Sequence, residues 1–356
     1  MRPLPRKIQW KNEQRPRAKR KVKKPEAPPQ NIVEQEVIEE QVERGEEQAL
    51  VPAAVGRWLA PIIAQEVAPV MVVLDHVSNG YRELLLPMAC QDDVLQRAIN
   101  AVAAQHLAGR DSKLKSVAES ERSAVISRLR HNSLQTSADL VFNVSTWATL
   151  IVLLVGETIT GSTEYSYLLQ TLMCLAQNIG RVEHTAANSF LMQQTHMFQL
   201  LGLPMLGETQ GIDALQLPIE QYLDWTVYDL PPESQHHRVL SLSRLAFMKA
   251  SQIYLGRATI DQDQWAHLES LKEIVNQVDP DEPGAHALVW VCFMAAADST
   301  DPEHRRFFTD RLIRVYAKTR FRNISAAIDS LPALWSLQGS GRWTEELIRL
   351  SPTLVM

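Results

Sequence analysis

Apolar residues recur three and four positions apart along most of this chain, and strict alternation of apolar and polar residues is rare. That period turns a stripe to one side of an α-helix and scatters it over both faces of a strand, so it commits the chain to helix. Leu95, Ala98, Ile99, Val102 and His106 form one stripe over residues 94–107, with Asp92 or Asp93 placed to cap it. Residues 112–130 place Leu114, Ala118, Val125 and Leu129 on one face and turn Lys113, Lys115, Glu119 and Arg128 elsewhere. Phe308, Leu312, Val315 and Tyr316 repeat the pattern behind Asp301-Pro302-Glu303, a cap with proline in the first turn. Only 14 of 356 residues are glycine, and no segment reads as a convincing strand. The expected fold is all-α: an irregular multi-helix array of about a dozen helices, with no fixed repeat that would make it a solenoid.

Punctuation divides the array. Breaks are expected at Gly161-Ser162, Gly202-Leu-Pro204, Pro231-Pro232, Asp279-Pro-Asp-Glu-Pro283 and Gly339-Ser-Gly341. The most apolar run, residues 147–156, is shorter than the roughly 20 residues a membrane span needs, so it reads as a buried core helix. The first residues have charge without the apolar stretch of about 7–15 residues of a secretory signal. Cys90, Cys174 and Cys292 are odd in number and far apart, which suits free thiols in a reducing compartment.

Charge sets the N-terminus apart. Residues 1–24 hold eleven Lys and Arg against Glu13 alone, a formal +10. The whole chain has 36 basic and 41 acidic residues, so residues 25–356 carry 25 against 40, near −15. The proline-rich stretch 25–31 comes next, and from Glu26 to Glu47 eight acids face the single base Arg44. Residues 1–52 are therefore expected to be a disordered arm and linker, basic then acidic, and residues 53–356 a helical domain. Within the arm, Lys19-Arg20-Lys21-Val22-Lys23-Lys24 lies between Pro16 and Pro25. A run of that kind suits a nuclear import receptor or the phosphates of DNA, with a solvating tail as the plainer alternative. The candidate site is Arg15, Arg17, Lys19, Arg20, Lys21, Lys23 and Lys24.

Sequence patterns for catalysis and metal binding are missing. No Cys-x-x-Cys, His-Glu-x-x-His, Gly-x-Ser-x-Gly or phosphate-binding glycine motif occurs, so neither catalytic nor metal residues are assigned and no enzyme is expected. His236 and His237 stand at a helix start, where neighbours point about 100° apart and cannot clamp one ion together. His184 and His196, twelve apart, are expected on one long helix without a shared site. Asp279, Asp281 and Glu282 read as a helix-ending turn, lacking the length and glycine of a calcium loop.

The segments 73–89 (VLDHVSNGYRELLLPMA) and 93–107 (DVLQRAINAVAAQHL) resemble the opening helices of the fungal-specific transcription factor domain, the regulatory region of fungal zinc-cluster transcription factors. Similar pieces come in order at 150–157, 198–204, 222–225, 286–290, 305–308, 321–324 and 334–335, so the resemblance runs from about residue 65 to 356. It implies a nuclear regulator of RNA polymerase II transcription, with an import receptor, transcription machinery or co-regulators as partners, and is compatible with a homodimer. DNA would be bound weakly and without sequence choice through the arm, and no membrane is involved. In the family a six-cysteine cluster with two zinc ions reads DNA, and residues 7–13 (KIQWKNE) look like the stretch just after its last cysteine. No cysteine precedes Cys90, so no cofactor is expected in this chain, and zinc only with an upstream cluster. The alternative is a helical interaction protein descended from such a factor that no longer binds DNA.

Overall fold

Asp92 begins the first long helix. In the computed structural model, which describes residues 59–135, 143–178, 184–339 and 341–356, its carboxylate accepts a hydrogen bond from the Leu95 amide at 2.8 Å. That bond satisfies one of the amides a helix start leaves open. Helix α1, Asp93–Ala108, buries Leu95, Ala98, Ile99 and Val102 as one stripe. Helix α2, Leu114–Gln135, packs along it with Ala118, Val125 and Leu129 inward, while Lys113, Lys115, Glu119 and Arg128 are exposed.

Helix α3, Val144–Thr160, starts at Asn143, whose side chain accepts from the Thr146 amide, and every residue from Trp147 to Ile159 is buried. The apolar run is thus a core helix, packed by α1 on one side and on others by α4, Tyr165–Asn178, and α5, Ala186–Leu206. It stops at Gly161, where φ is +65° and a Cβ would stand 3.0 Å from the carbonyl carbon and oxygen of Arg322.

Two expectations are corrected in α5. His184 precedes the helix, which Thr185 caps through the Asn188 amide, so His184 and His196 do not share it. Nor does Gly202-Leu-Pro204 break it: α5 runs through Pro204 and ends at Gly207, with φ +142°. Gly202 admits the Leu169 side chain, whose Cδ2 would lie 2.5 Å from an added Cβ. Proline removes one amide only a turn from the end, and the Tyr165 hydroxyl donates to the Met205 carbonyl there at 2.7 Å. Packing and a tertiary donor outweigh the local signal. The short helix α6, Glu208–Leu215, and a 3-10 segment, Ile219–Thr226, lead onward.

After Pro231-Pro232 the chain forms α7, His236–Thr259, and α8, Trp265–Asn276. A 3-10 turn, Ala285–Leu288, enters α9, Val289–Asp298, in which all ten residues are buried. Helix α10, Pro302–Thr319, is capped by Asp301 through the Glu303 amide, with Phe308, Leu312 and Val315 inward. Helix α11, Arg322–Trp335, packs against both α3 and α9, which are buried along most or all of their length, and so joins the two centres of the core. Helix α12, Trp343–Leu350, closes the array.

A polar fastening sits at the end of α9. The fully buried Asp298 carboxylate accepts from Arg257 Nε and Trp343 Nε1, both at 2.8 Å, tying α7 and α12 to α9. Beside it Glu208 pairs with Arg342 at 2.8 Å and accepts from the Thr344 hydroxyl. The expected all-helical array is what forms: no strand occurs among the described residues, and no described helix is long and apolar enough to cross a membrane. The boundary expected at residue 53 and the arm before it lie outside the described residues.

Candidate functional site

The sequence Met71–Gly80 is too short of helical stripe to pack as a helix, and side-chain hydrogen bonds shape it instead. The 3-10 turn Ala68–Val70 delivers it. Asn79, fully buried, donates to the Ala68 carbonyl at 2.9 Å and to Asp75 Oδ1 at 2.6 Å, and accepts from the Tyr81 amide at 3.1 Å. Arg82 pairs with Asp75 and donates to its carbonyl at 3.0 Å. Glu83 accepts from the Asn79 amide at 3.0 Å and from the Ser78 hydroxyl at 3.3 Å. The segment is a polar knot in which the side chains of Asn79, Arg82 and Glu83 partner backbone groups that no helix pairs, while Asp75 and Ser78 brace those side chains.

Three tethers hold the knot to residues far along the chain. The Tyr228 hydroxyl oxygen accepts from the amides of Val73 and Leu74 at 3.0 and 3.1 Å. His286 Nε2 donates to the Val72 carbonyl at 2.8 Å. His76 Nε2 meets His236 Nε2 at 3.0 Å. Burial raises the Tyr228 pKa against the pull of its two amide donors, which keeps the phenol neutral. Burial likewise lowers that of His286 despite its carbonyl partner, so the ring donates as a neutral imidazole.

Between this segment and α5 lies a cleft of about 300 Å³, with Val77, Phe190 and Val227 as apolar wall and Gln193, Tyr228 and Asp229 as polar rim. Its floor, Met71, Val72 and Trp225, is shared with a smaller inner cavity of about 40 Å³ reaching Met197, Leu201 and Ile324. Gly80 keeps the cleft shut on one side, since an added Cβ would come within 2.4 Å of the Phe190 ring. Size and lining suit an amphipathic small molecule or an inserted partner side chain.

The sequence-assigned arm residues Arg15, Arg17, Lys19, Arg20, Lys21, Lys23 and Lys24 lie outside the described residues. His236 and His237 do open α7 and do diverge: His237 Nε2 bonds the Pro231 carbonyl at 3.0 Å while His236 turns to His76. Asp279, Asp281 and Glu282 form the expected turn, in which Asp279 accepts from the Asp281 amide and Glu282 pairs with Arg238 at 3.0 Å. A six-cysteine zinc cluster does not fit the thiols of this chain. There are three, Cys90 exposed, Cys174 half-buried and Cys292 buried, the last pushed up to about 12 by burial and so the reverse of a ready thiolate ligand.

The described residues form an all-α array with a loop-walled cleft beside α5. The family model described as the fungal specific transcription factor domain matches residues 64–226 and 209–355, and the chain belongs to that family. No curated protein and no solved structure matches it. Membership makes the chain a regulator of transcription, and the match covers the described helices from the first to the last.

Proposed function

We propose that this chain is a nuclear regulator of RNA polymerase II transcription whose helical domain meets protein partners and whose basic arm serves import and DNA phosphate contact. The observation that carries the reading is the division of charge within a member of this family: +10 over residues 1–24 against near −15 over the rest. An acidic body repels the DNA backbone, so nucleic-acid contact belongs to the arm, and the body's surface belongs to proteins. Partners on this reading are an import receptor at Arg15–Lys24, transcription machinery or co-regulators on the helical domain, and a second copy of the chain.

Replacing Lys19, Arg20, Lys21, Lys23 and Lys24 by alanine abolishes nuclear accumulation of a fluorescent fusion on this reading; unchanged accumulation refutes the import role. The purified chain binds duplex DNA weakly, without sequence preference, and loses it steeply as salt rises.

A second reading is favoured by the cysteine count. Three cysteines cannot supply six thiolates, so zinc-dependent DNA reading would come only with a cluster supplied from elsewhere. On that reading the chain acts by pairing with other regulators. Binding of a random duplex by the purified chain at low salt separates the two: salt-sensitive binding supports the arm's phosphate contact, no binding supports the pairing role, and enrichment of one particular sequence contradicts both.

A further inference from the structure

His76 and His236 are 160 residues apart in sequence and belong to elements with different tasks, one walling the cleft and one opening α7, yet their Nε2 atoms stand 3.0 Å apart. Their ring centroids are 4.6 Å apart and the planes cross at 57°. An in-line N–H···N bond of that length would hold the centroids about 5.2 Å apart, because each ring adds ~1.1 Å between nitrogen and centroid. The nitrogen axes are therefore bent well away from the line joining them, which is poor geometry for a hydrogen bond. Two imidazole nitrogens at ~2.1 Å from one ion and at about 90° to each other lie about 3.0 Å apart, with centroids about 4.5 Å apart. The pair has both of those separations.

We propose that His76 and His236 form a two-imidazole site for a divalent transition ion that favours tetragonal coordination, Cu²⁺ or Ni²⁺ ahead of tetrahedral Zn²⁺. His76 is exposed and His236 half-buried, so water has access to the remaining coordination positions. No group of three or more His, Cys, Asp or Glu gathers around an ion site among the described residues, so the two rings are its whole protein ligand set. His237 is excluded because its Nε2 is held by the Pro231 carbonyl. The bound ion replaces the weakest and most exposed of the three tethers on the Met71–Gly80 segment with two coordinate bonds. It would thereby fix the cleft wall to α7, alongside the half-buried anchors Tyr228 and His286.

The test titrates the tag-free full chain with NiCl₂ by calorimetry at pH 7.5, and with CuCl₂ followed by electron paramagnetic resonance. One equivalent of Ni²⁺ is expected to bind, to raise Tm, and to be lost in both His76→Ala and His236→Ala while persisting in His237→Ala. The Cu²⁺ spectrum is expected to show two equivalent nitrogen ligands. His76→Gln keeps a hydrogen-bonding side chain without the imidazole, and it too is expected to lose the equivalent while its metal-free melting curve overlays that of the wild type. Absence of binding, or a titration unchanged by His76→Ala or His76→Gln, overturns the site and leaves the pair a bent hydrogen bond.

Discussion

Helix α3 and the Met71–Gly80 segment both lie against α5 and are held by different means. In α3 every residue from Trp147 to Ile159 is buried, and its packing is spread over four other helices, with two side-chain polar links to other helices, Trp147 Nε1 to Thr195 and Arg122 to Glu157, both at 2.8 Å. The segment buries four apolar side chains, Met71 to Leu74, at its start, but its polar ties to distant residues rest on single atoms: one phenol oxygen, one imidazole on a carbonyl, one pair of histidines. Dispersed packing makes a scaffold that no one contact controls. Concentrated polar tethers make a wall whose position a few groups decide, which is what a responsive cleft requires.

Asp298 breaks the tidy form of that contrast, because it is a single polar tether placed within the apolar centre. It ends the wholly buried α9, and its side chain is 0% exposed while holding Arg257 and Trp343. Asp298→Ala leaves Arg257 Nε and the indole N–H without their acceptor, with Asp261 at 2.9 Å still pairing the other end of the guanidinium, and is expected to cost about 3–5 kcal/mol, the largest loss predicted. Urea denaturation measures it; Asp298→Asn, which keeps an acceptor for Trp343, is expected to lose less. Equal losses in the two variants would show that charge, not the loss of an acceptor, sets the cost.

Leu154→Ala is the control from the dispersed side. Its side chain is 0% exposed in the middle of α3, and truncation is expected to cost about 2–5 kcal/mol through lost burial and the cavity left behind. Because α3 is gripped on all sides, amide exchange should speed up across α1, α3 and α11 together. A change confined to α3 would mean that its packing is less shared than the structure implies.

Much of this scaffold is legible in the sequence, and the reasons are local. Asp92 and Asp301 precede their stripes at capping distance, and Leu95, Ala98, Ile99 and Val102 point inward because helical period alone turns them together. Local signals misled where a tertiary neighbour decided: Gly202 and Pro204 look like a break until Leu169 and Tyr165 are beside them. The cleft was legible only in half. The Val73–Ala89 stretch stood out by its resemblance to the family, yet its tethers come from residues 155, 160 and 214 positions away. No spacing rule links His76 to His236, 160 residues apart, so their contact has no signal in the sequence, whereas the divergence of His236 and His237 follows from helix geometry alone.

Tyr228→Phe tests the concentrated side. It removes one oxygen and leaves the amides of Val73 and Leu74 without their acceptor in a half-buried wall, at a cost of about 1–3 kcal/mol. The expected signature is spatial: faster amide exchange at Val73 and Leu74 with α3 unaffected. A global loss resembling that of Leu154→Ala would merge the two regions into one cooperative unit and dissolve the contrast.

The smallest effect is expected where a charge tether joins the start of the described chain to α1. Glu66 accepts from Arg110 at 2.7 Å and from His106 at 3.0 Å. The Arg110 hydrogen bond holds its carboxyl below the ordinary value of 4.5, against burial, with His106 adding to the same lowering. A depressed carboxylate binds protons more readily in the unfolded chain, so its stabilisation is complete above pH ~4.5 and is lost as pH falls through the lower folded value. Arg110 is 64% exposed, which screens the pair and limits the contribution to below about 1 kcal/mol. The difference in urea midpoint between wild type and Glu66→Gln should therefore be small at pH 7 and shrink on acidification. A difference that grew instead would mean that the neutral side chain, through its packing or hydrogen bonds, outweighs the ion pair, and that even this exposed tether works as α3 does, by contact.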